Sequence, residues 1–310
     1  MSEVSGIKES VMTDYGRPLQ FGYFLVPDAT DHQAVLHAAR QVDELGLELI
    51  GIQDHPYQRS YLDTWTLLAV IAAQTKHVRI FPDVANLPLR PPALLAKAAA
   101  SLDLLSGGRC ELGLGAGAFW EAIHAMGGPT RTPKDAVAAL EEAIAIIRLM
   151  WSDQRSARFE GQFYSLNGVK PGPAPAHPIG IWVGALGPRM LNLIGRLADG
   201  WVPSLAYIKL DQLKEMQQRI DDGALSAGRN PAHIQRLLNL NGIITEGQTG
   251  GLLNGPASQW VEELTYITLE FGMDSYLFGG ALDTQLQRFA HEIAPQVREN
   301  VARQRAKPGG

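Results

Sequence analysis

Short apolar runs alternate with longer segments of helical periodicity along almost the whole chain. Each short run is bounded by glycine, proline or polar residues, and this pattern predicts a β-strand. The predicted strands are Leu19–Pro27, Leu47–His55, Val78–Ala85, Arg109–Gly117, Ile179–Ala185, Gly200–Leu205, Gln235–Thr245 and Ser275–Gly279.

A segment with apolar residues at helical spacing follows each predicted strand. Asp63 is the expected N-cap of the second helix. Eight consecutive βα units predict an α/β fold, a closed (α/β)8 TIM-type barrel, because open doubly wound sheets usually contain fewer strands. The predicted helices are Gln33–Leu45, Thr64–Thr75, Pro91–Leu105, Pro133–Trp151, Pro188–Ala198, Lys209–Ala227, Pro256–Phe271 and Leu282–Arg303.

The same pattern predicts one domain over residues 19–305, preceded by an extension (1–18) and followed by a short tail (306–310). Two segments exceed ordinary connections between elements. One is an insertion at about 152–178, and the other is the glycine-rich run Glu246–Gly255, expected to be mobile. Long loops in compact domains often serve as lids or subunit contacts.

Composition narrows the class of partner. The net charge of -5 and the scattered basic residues argue against nucleic acid and anionic membranes. The single cysteine, Cys110, excludes an internal disulfide and a cysteine-based zinc site. No signal peptide or membrane-spanning run is present, so we expect a cytoplasmic protein that acts on a small molecule.

The strand ends should carry the chemistry, because active sites of such barrels lie at the carboxyl ends of the strands. No lysine lies at a strand end, which argues against a Schiff-base aldolase. A divalent cation held by Asp28, Asp54, His55 and Asp83 is an alternative. The glycine-rich, apolar surroundings favour an organic cofactor and no metal.

The fourth predicted strand carries glycines at alternate positions, Gly113, Gly115 and Gly117. A planar cofactor could lie against backbone there, since glycine leaves one face without side chains. The same glycines could instead relieve crowding inside the barrel or form a tight turn. The sequence leaves both interpretations open.

The turn Gly184–Arg189 predicts an anion site. Pro188 suits the first position of a helix, whose free N–H groups would face the barrel mouth beside Arg189. The alternative is an ordinary helix start with a solvated arginine. Two further expectations concern neighbouring positions: Arg79 and Glu111 should form an ion pair inside the barrel, and Trp120 and Trp201 could form walls of a pocket.

Several motifs, in this order, resemble the luciferase-like superfamily of flavin-dependent monooxygenases and reductases. The resemblance extends from about Phe21 to Ala294. The motifs are Gln53–Tyr57 (QDHPY), Asp63–Thr66 (DTWT), Asn86–Pro92 (NLPLRPP), Leu102–Arg109 (LDLLSGGR), Leu112–Gly117 (LGLGAG), Gly187–Arg189 (GPR) and Ala198–Trp201 (ADGW).

The resemblance implies FMN, or alternatively coenzyme F-420, with its ring at the barrel mouth and its phosphate near the fifth-strand turn. It implies a non-prolyl cis peptide at about Pro82–Asp83 and a homodimer. His55 matches the histidine beside the reactive carbon in F-420-dependent members. A helix-capping or core histidine is the alternative for His55.

The chain also departs from two patterns within this superfamily. F-420-linked sugar-phosphate dehydrogenases have a glutamate where Ala118 stands and a tryptophan where Arg59 stands. Bacterial luciferases have a phosphate-binding arginine where Ala116 stands. These departures argue against either enzyme and leave the substrate open.

We therefore predict an FMN-dependent monooxygenase that acts on a small organic substrate with externally supplied electrons, possibly from a separate flavin reductase. The alternatives are an F-420-dependent reductase and a non-catalytic flavin-binding barrel. His55 is the predicted catalytic residue. The predicted cofactor-binding residues are Phe24, Asp54, Pro82, Asp83, Ala85, Leu114, Gly115, Ala116, Gly184, Ala185, Gly187, Pro188 and Arg189.

Overall fold

A computed structural model describes residues 14–280 and 284–307. Most of the predicted N-terminal extension, the start of the last predicted helix at Leu282 and the end of the tail lie outside these residues. The strands are β1 Gln20–Leu25, β2 Leu49–Ile52, β3 Arg79–Pro82, β4 Ala85–Asn86, β5 Leu112–Gly115, β6 Ala157–Glu160, β7 Ser165–Val169, β8 Ile181–Val183, β9 Gly200–Trp201, β10 Gln235–Leu240, β11 Ile243–Ile244, β12 Asn254–Gly255 and β13 Ser275–Phe278.

Helices follow the barrel strands, as the pattern predicted. They are α1 His32–Glu44, α2 Thr64–Gln74, α3 Pro92–Ser106, α4 Trp120–Ala125, α5 Pro133–Met150, α6 Pro188–Leu197, α7 Leu210–Ser226, α8 Ala257–Phe271, α9 Thr284–Arg288 and α10 Ala294–Arg305. Asp63 caps α2 by accepting a hydrogen bond from the Thr66 amide, which confirms the predicted N-cap.

The main sheet is parallel and runs in the order β3-β2-β1-β13-β10-β9-β8-β5-β4. A parallel bridge between Ile80 and Cys110 connects β3 to the residues just before β5, so the two edges of the sheet meet. β3 and β4 are two parts of the third predicted strand. The predicted eight-stranded barrel is therefore confirmed.

The break between β3 and β4 lies at the barrel mouth. A cis peptide bond joins Asp83 and Val84. The resemblance had implied this bond at Pro82–Asp83, so that position was wrong by one residue. A second cis bond, Gly172–Pro173, lies in the insertion.

Alternation along the strands separates two cores. Leu112 and Leu114 of β5 face outward and pack in the large apolar layer between the barrel and its helices. A smaller core fills the barrel itself, as the period-2 geometry of strands requires. It contains Leu49, Phe81, Trp182, Val202, Leu237 and Leu277, with Phe24 and Val84 packed against it.

The long connections contain structure that periodicity did not predict. The insertion forms an antiparallel hairpin of β6 and β7. The run Glu246–Gly255 ends in β12, which pairs with β11. The helix α4 was missed, because six residues are too few to show a helical repeat. A π-helical segment, Phe289–Ile293, separates α9 from α10 within the last predicted helix.

The expected ion pair within the barrel is present. The Nη1 atom of Arg79 lies 2.6 Å from Oε1 of Glu111. The other carboxylate oxygen of Glu111 accepts a hydrogen bond from the Gly180 amide. Because both partners are engaged at the start of the strands, this pair stabilises the barrel away from its mouth.

Candidate functional site

A cavity of about 620 Å³ opens at the carboxyl ends of the strands, where the barrel geometry predicts a site. We call it the mouth pocket. Its lining comes from the segments that follow β2, β4, β5 and β8 and from the first turns of α5 and α6. The lining residues are Asp54, His55, Tyr57, Val84, Ala85, Asn86, Gly115, Ala116, Gly117, Ala118, Phe119, Trp120, Pro133, Ala136, Val137, Gly184, Ala185, Leu186, Gly187, Pro188, Arg189 and Met190.

The floor of the mouth pocket is formed by one small side chain, that of Val84, and by the backbone of two glycines. A Cβ atom on Gly115 would lie 2.7 Å from a methyl of Val84, and one on Gly184 would lie 3.1 Å from both Val84 methyls. Val84 therefore lies between two stretches of bare backbone. Because Gly115 and Gly184 carry no side chains, no side chain from these two positions projects into the pocket, and a flat molecule can approach the backbone there.

The two interpretations of the glycines apply to different positions. A Cβ on Gly113 would lie 2.0 Å from the carbonyl oxygen of Pro82, so this glycine relieves crowding between neighbouring strands. Gly117 forms a turn with φ of 98°, a conformation that favours glycine. Only Gly115 and Gly117 line the mouth pocket.

One end of the mouth pocket has the features of an anion site, and we call it the phosphate end. Gly187 is the N-cap of α6 and Pro188 is its first residue, as predicted. The first N–H groups of this helix have no partner within it, and the helix dipole favours a negative charge there. Arg189 is exposed and makes no hydrogen bond or ion pair within residues 14–280 and 284–307. A free cation and a helix N-terminus thus face the same cavity.

Asp54 lines the mouth pocket, but its carboxylate is already occupied. Arg90 binds both oxygens at 2.9 Å, and the Asn86 amide donates a third hydrogen bond. Arg90 also contacts Asp63 at 2.8 Å. Because its oxygens are committed, Asp54 holds the segment after β2 against β4 and α2.

His55 contacts two aromatic rings in the opening. Its ring centroid lies 5.4 Å from that of Tyr57 in a stacked arrangement and 5.5 Å from that of Phe119 in an edge arrangement. The Nδ1 atom of His55 lies 3.4 Å from Nε2 of the Gln53 side chain. Burial lowers the pKa of His55 below 6.5, although the negative charge of Asp54 acts in the opposite direction. The imidazole is therefore neutral at neutral pH.

A buried carboxylate lies next to the floor. Asp83 is 7% exposed, and a Cβ on Gly51 would lie 2.8 Å from its Oδ2 atom. Oδ2 has no hydrogen-bond partner, whereas Asn239 supplies a hydrogen bond to the side chain. Burial raises the pKa of Asp83 to about 7, and the bond from Asn239 partly opposes this.

The mouth pocket brings together ten of the predicted cofactor-binding and catalytic residues: Asp54, His55, Ala85, Gly115, Ala116, Gly184, Ala185, Gly187, Pro188 and Arg189. Four others do not line it. Leu114 packs against the helices, and Pro82 and Asp83 are buried beside the floor. Phe24 borders a second cavity of about 370 Å³ between β1 and α1.

The two tryptophans proposed as walls have different environments. Trp120 lines the mouth pocket, as expected. Trp201 is fully buried, and its indole N–H donates to the carbonyl of Ala185 at 2.8 Å. The expectation for Trp201 was wrong, because its side chain points into the layer between strands and helices.

Sequence reasoning did not single out Tyr57, Val84, Asn86 or Phe119 as site residues. Tyr57 and Phe119 come together only because the segments after β2 and β5 meet, with ring centroids 5.9 Å apart. Asn86 is 6% exposed and its Oδ1 atom has no partner. A polar residue directly at a strand end was the one available signal for Asn86.

The cation alternative finds no support in the geometry. Asp28 accepts hydrogen bonds from the amide and hydroxyl of Thr30 and lines the second cavity, whereas Asp54 lines the mouth pocket. Over the part of the chain that the structure describes, no three His, Cys, Asp or Glu residues converge on a possible metal position. Within the same residues, no helix is long and apolar enough to cross a membrane.

The mouth of the barrel joins a low glycine floor to a helix N-terminus, and such a site can accommodate a flat molecule that carries an anionic group. Residues 19–249 match the family model described as luciferase-like monooxygenase. The chain therefore belongs to the luciferase-like monooxygenase family, and it is an oxidoreductase.

Named relatives agree with this assignment. The F-420-dependent glucose-6-phosphate dehydrogenase of Kineococcus radiotolerans is 29% identical over 249 residues, which are 77% of this chain and 72% of the relative. The 5,10-methylenetetrahydromethanopterin reductase of Archaeoglobus fulgidus is 29% identical over 214 residues, which are 68% of this chain and 60% of the relative.

Solved structures show the same fold. An F-420-dependent secondary alcohol dehydrogenase, in complex with an F-420–acetone adduct, matches 91% of this chain and 99% of that chain with a TM-score of 0.81 at 17% identity. The FMN complex of the oxygenating constituent of 3,6-diketocamphane monooxygenase from Pseudomonas putida matches 91% and 99% with a TM-score of 0.75 at 19% identity.

Proposed function

We propose that the chain binds a flavin-type cofactor in the mouth pocket and exchanges a hydride with a small organic substrate, with coenzyme F-420 as the preferred cofactor. One observation carries this proposal: a floor made of the Val84 side chain and the backbone of Gly115 and Gly184 continues into the N-terminus of α6 beside the unpaired Arg189. A flat ring and an anionic tail are the two parts that such a cofactor presents.

The residues of the pocket fit this group. Gly115, Gly184 and Val84 would support the ring, and the buried Oδ1 of Asn86 offers a hydrogen-bonding atom that has no protein partner. Gly187 and Arg189 would hold the phosphate. When bound, the cofactor would supply two-electron redox chemistry that no side chain of the chain can provide.

The choice of F-420 over FMN rests on the difference between relatives that are similar in sequence and structures that are similar in fold alone. Two sequence relatives at 29% and 27% identity are named as F-420-dependent dehydrogenases. The FMN complex and the riboflavin lyase with modified FMN are 19% and 13% identical, so they are similar in fold alone. FMN is the second candidate, because a helix N-terminus together with an unpaired arginine suits the dianionic phosphate of FMN.

His55 is the proposed proton-transfer residue. The neutral imidazole accepts the proton of a substrate hydroxyl when the substrate is oxidised, and returns it to the oxygen in the reverse direction. Asp54, fixed by Arg90, positions the segment that carries His55. A homodimer in the cytoplasm, with a separate flavin reductase if FMN is the cofactor, completes the proposal.

The test is a titration of cofactor-free protein with F-420 and with FMN, followed by absorbance and fluorescence. We expect a dissociation constant at least about tenfold lower for F-420, equivalent to 1.4 kcal/mol. A lower constant for FMN would reverse the order of the two candidates. Failure of both to bind would contradict the proposed function.

A further inference from the structure

A second part of the mouth pocket is lined by aromatic rings, in contrast to the charged phosphate end. We call it the aromatic end, and it consists of His55, Tyr57, Phe119 and Trp120. The first three rings lie within 5.9 Å of one another, centroid to centroid. Phe119 is 54% exposed, so it presents a large apolar face to whatever enters the pocket.

The loop after β5 holds two of these rings in place. Gly117 has a φ of 98°, and a Cβ on it would lie 2.6 Å from Pro88 and 2.8 Å from the Trp120 ring. The tight turn therefore packs the indole against the loop and directs the chain into α4. Pro133, Ala136 and Val137 of α5 add further apolar surface to the lining.

The aromatic end contains no positive charge that could bind an anionic substrate. Among the lining residues that the structure describes, Arg189 at the phosphate end is the one lysine or arginine. Arg90 is bound to Asp54 and Asp63. Arg131, which precedes α5, stacks on Phe163 and Tyr164 of the insertion, and Lys134 does not line the cavity.

Three polar groups are nevertheless present at the aromatic end. These are the imidazole of His55, the hydroxyl of Tyr57 and the indole N–H of Trp120. Burial raises the pKa of Tyr57 to about 12 and lowers that of His55, so both groups are neutral at neutral pH. They can hydrogen-bond one oxygen of a ligand, but they cannot balance a charge.

On the basis of the proposed function, we propose that the substrate is uncharged, with a flat apolar body and a single carbonyl or hydroxyl group, and that Tyr57 and Phe119 select it. The apolar body packs against the two rings, and its oxygen faces His55. A phosphorylated substrate is rejected, because its charge would lose water at the aromatic end without gaining a cation. The glucose 6-phosphate in the names of several relatives is thus not the substrate expected here.

The experiment compares two ligands that differ in one phosphate. Acetophenone and 4-acetylphenyl phosphate share a flat body and a ketone. Calorimetric titration into cofactor-free and into F-420-loaded protein should give a dissociation constant at least about tenfold lower for acetophenone in both, because only the phosphate must be desolvated without a partner. Reduced F-420 should likewise reduce acetophenone with the higher kcat/KM.

Variants of Phe119 test whether the aromatic end sets this preference. Phe119→Lys should weaken the binding of acetophenone by about tenfold and strengthen the binding of 4-acetylphenyl phosphate by about tenfold. Phe119→Leu should still bind acetophenone more tightly than 4-acetylphenyl phosphate. Tyr207→Lys is the matched control, because Tyr207 is 75% exposed and does not line the mouth pocket. It should leave both constants unchanged.

The two proposals fail in different ways. Equal or tighter binding of 4-acetylphenyl phosphate by the wild-type protein would overturn the substrate inference, and so would a Phe119→Lys variant with unchanged constants. The cofactor titration is independent of both ligands. If the ligand preference holds in protein that binds neither F-420 nor FMN, the aromatic end is confirmed and the proposed function is the one that fails.

Discussion

The imidazole of His55 contacts the rings of Tyr57 and Phe119, and it follows directly after Asp54, a carboxylate that Arg90 already binds. Burial is the larger influence on its pKa and Asp54 the smaller, so the neutral form dominates near neutral pH. A neutral imidazole can accept a proton, whereas a protonated one cannot. The environment of His55 therefore suits a proton acceptor.

Replacing His55 with glutamine should lower kcat by about 100-fold to 10,000-fold, the usual contribution of a positioned general base. The dissociation constant of the cofactor should stay within threefold, roughly 0.7 kcal/mol. Steady-state kinetics and cofactor titration measure the two effects. His233→Gln, an exposed site remote from the pocket, is the control; full activity of His55→Gln would remove the proposed role.

The pH dependence of kcat/KM should report the same group. Because activity requires neutral His55, the rate should fall as the pH drops through the pKa of His55, which lies below 6.5. The acidic limb should therefore have its midpoint below 6.5 and should be absent in His55→Gln. A midpoint above 6.5, or a limb that persists in the variant, would contradict this assignment.

Asp83 should make the protein less stable as the pH rises. Its folded pKa of about 7 exceeds the unfolded value of 3.8, so the folded state binds more protons between these values and stability falls as pH rises through that window. Asp83→Asn should remove this loss. The free energy of unfolding of the variant minus that of the wild type should therefore increase by about 3 kcal/mol from pH 5 to pH 8, which means that the variant gains stability relative to the wild type.

Urea unfolding at the two pH values measures this difference. Asp274 also has a raised pKa, about 6, but it is present in both proteins and cancels in the comparison. Asp153→Asn, at an exposed position, is the control and should show no pH-dependent change. An Asp83→Asn variant whose stability follows that of wild type at both pH values would show that Asp83 is ionised in the folded state.

The residues of the site differ in how far the sequence could predict them. Gly187, Pro188 and Arg189 follow directly from a strand end and a helix start, so local rules sufficed. Tyr57 and Phe119 were missed because they belong to different βα loops, and only the closed barrel brings them together. Asp54 was placed in the pocket, but its partner Arg90 comes from another segment and could not be inferred.

At the scale of elements, the inward glycine Gly113 of β5 and Gly184, which follows β8, have separate roles. Gly113→Ala should lower the free energy of unfolding by about 1 to 3 kcal/mol, because the added methyl meets the Pro82 carbonyl at 2.0 Å. The methyl added by Gly184→Ala, just after β8, has as its nearest neighbours the methyls of Val84 at 3.1 Å and the Val202 carbonyl oxygen at 3.5 Å. It should destabilise less but weaken cofactor binding by about tenfold.

Chemical unfolding and cofactor titration of both variants separate the effects. Gly247→Ala is a suitable control, because no heavy atom lies within 4 Å of the added Cβ. If Gly184→Ala bound the cofactor as tightly as wild type, the floor would not be the surface that contacts the ring.

The first turn of α6 should bind the phosphate. Arg189→Ala should weaken FMN binding by about tenfold and leave riboflavin binding unchanged, since an exposed charged hydrogen bond contributes roughly 1.5 kcal/mol or more. The same contrast applies to F-420 and its phosphate-free chromophore. Arg196→Ala, near the other end of α6, is the control. An unchanged preference for the phosphate-bearing forms would place the anion elsewhere.

Regular elements were predicted well and short ones poorly, for a physical reason. The barrel strands and their long helices have clear apolar periodicity, because each must bury one face against the other. The helix α4 and the hairpin of β6 and β7 are too short or too exposed to show that pattern. The break between β3 and β4 has no periodic mark at all, so the third strand was predicted as continuous.

At the scale of the molecule, closure of the barrel brings the segments after β2, β4, β5 and β8 to one opening. The interior core of Phe81, Trp182 and their neighbours fills the barrel below that opening, so the cavity lies above a packed base. The loops supply the chemistry: arginine and helix N–H groups at one end, and aromatic rings at the other. Under the two proposals, the cofactor would use the floor and the phosphate end, and the substrate would use the aromatic end of the same pocket.

A crystal structure of the protein with bound F-420 tests the central claim most directly. We expect the ring to lie on Val84 between Gly115 and Gly184, with the phosphate at Gly187 and Arg189 and the reactive edge toward His55. A ring bound in the second cavity near Phe24, or a phosphate away from the first turn of α6, would contradict the account.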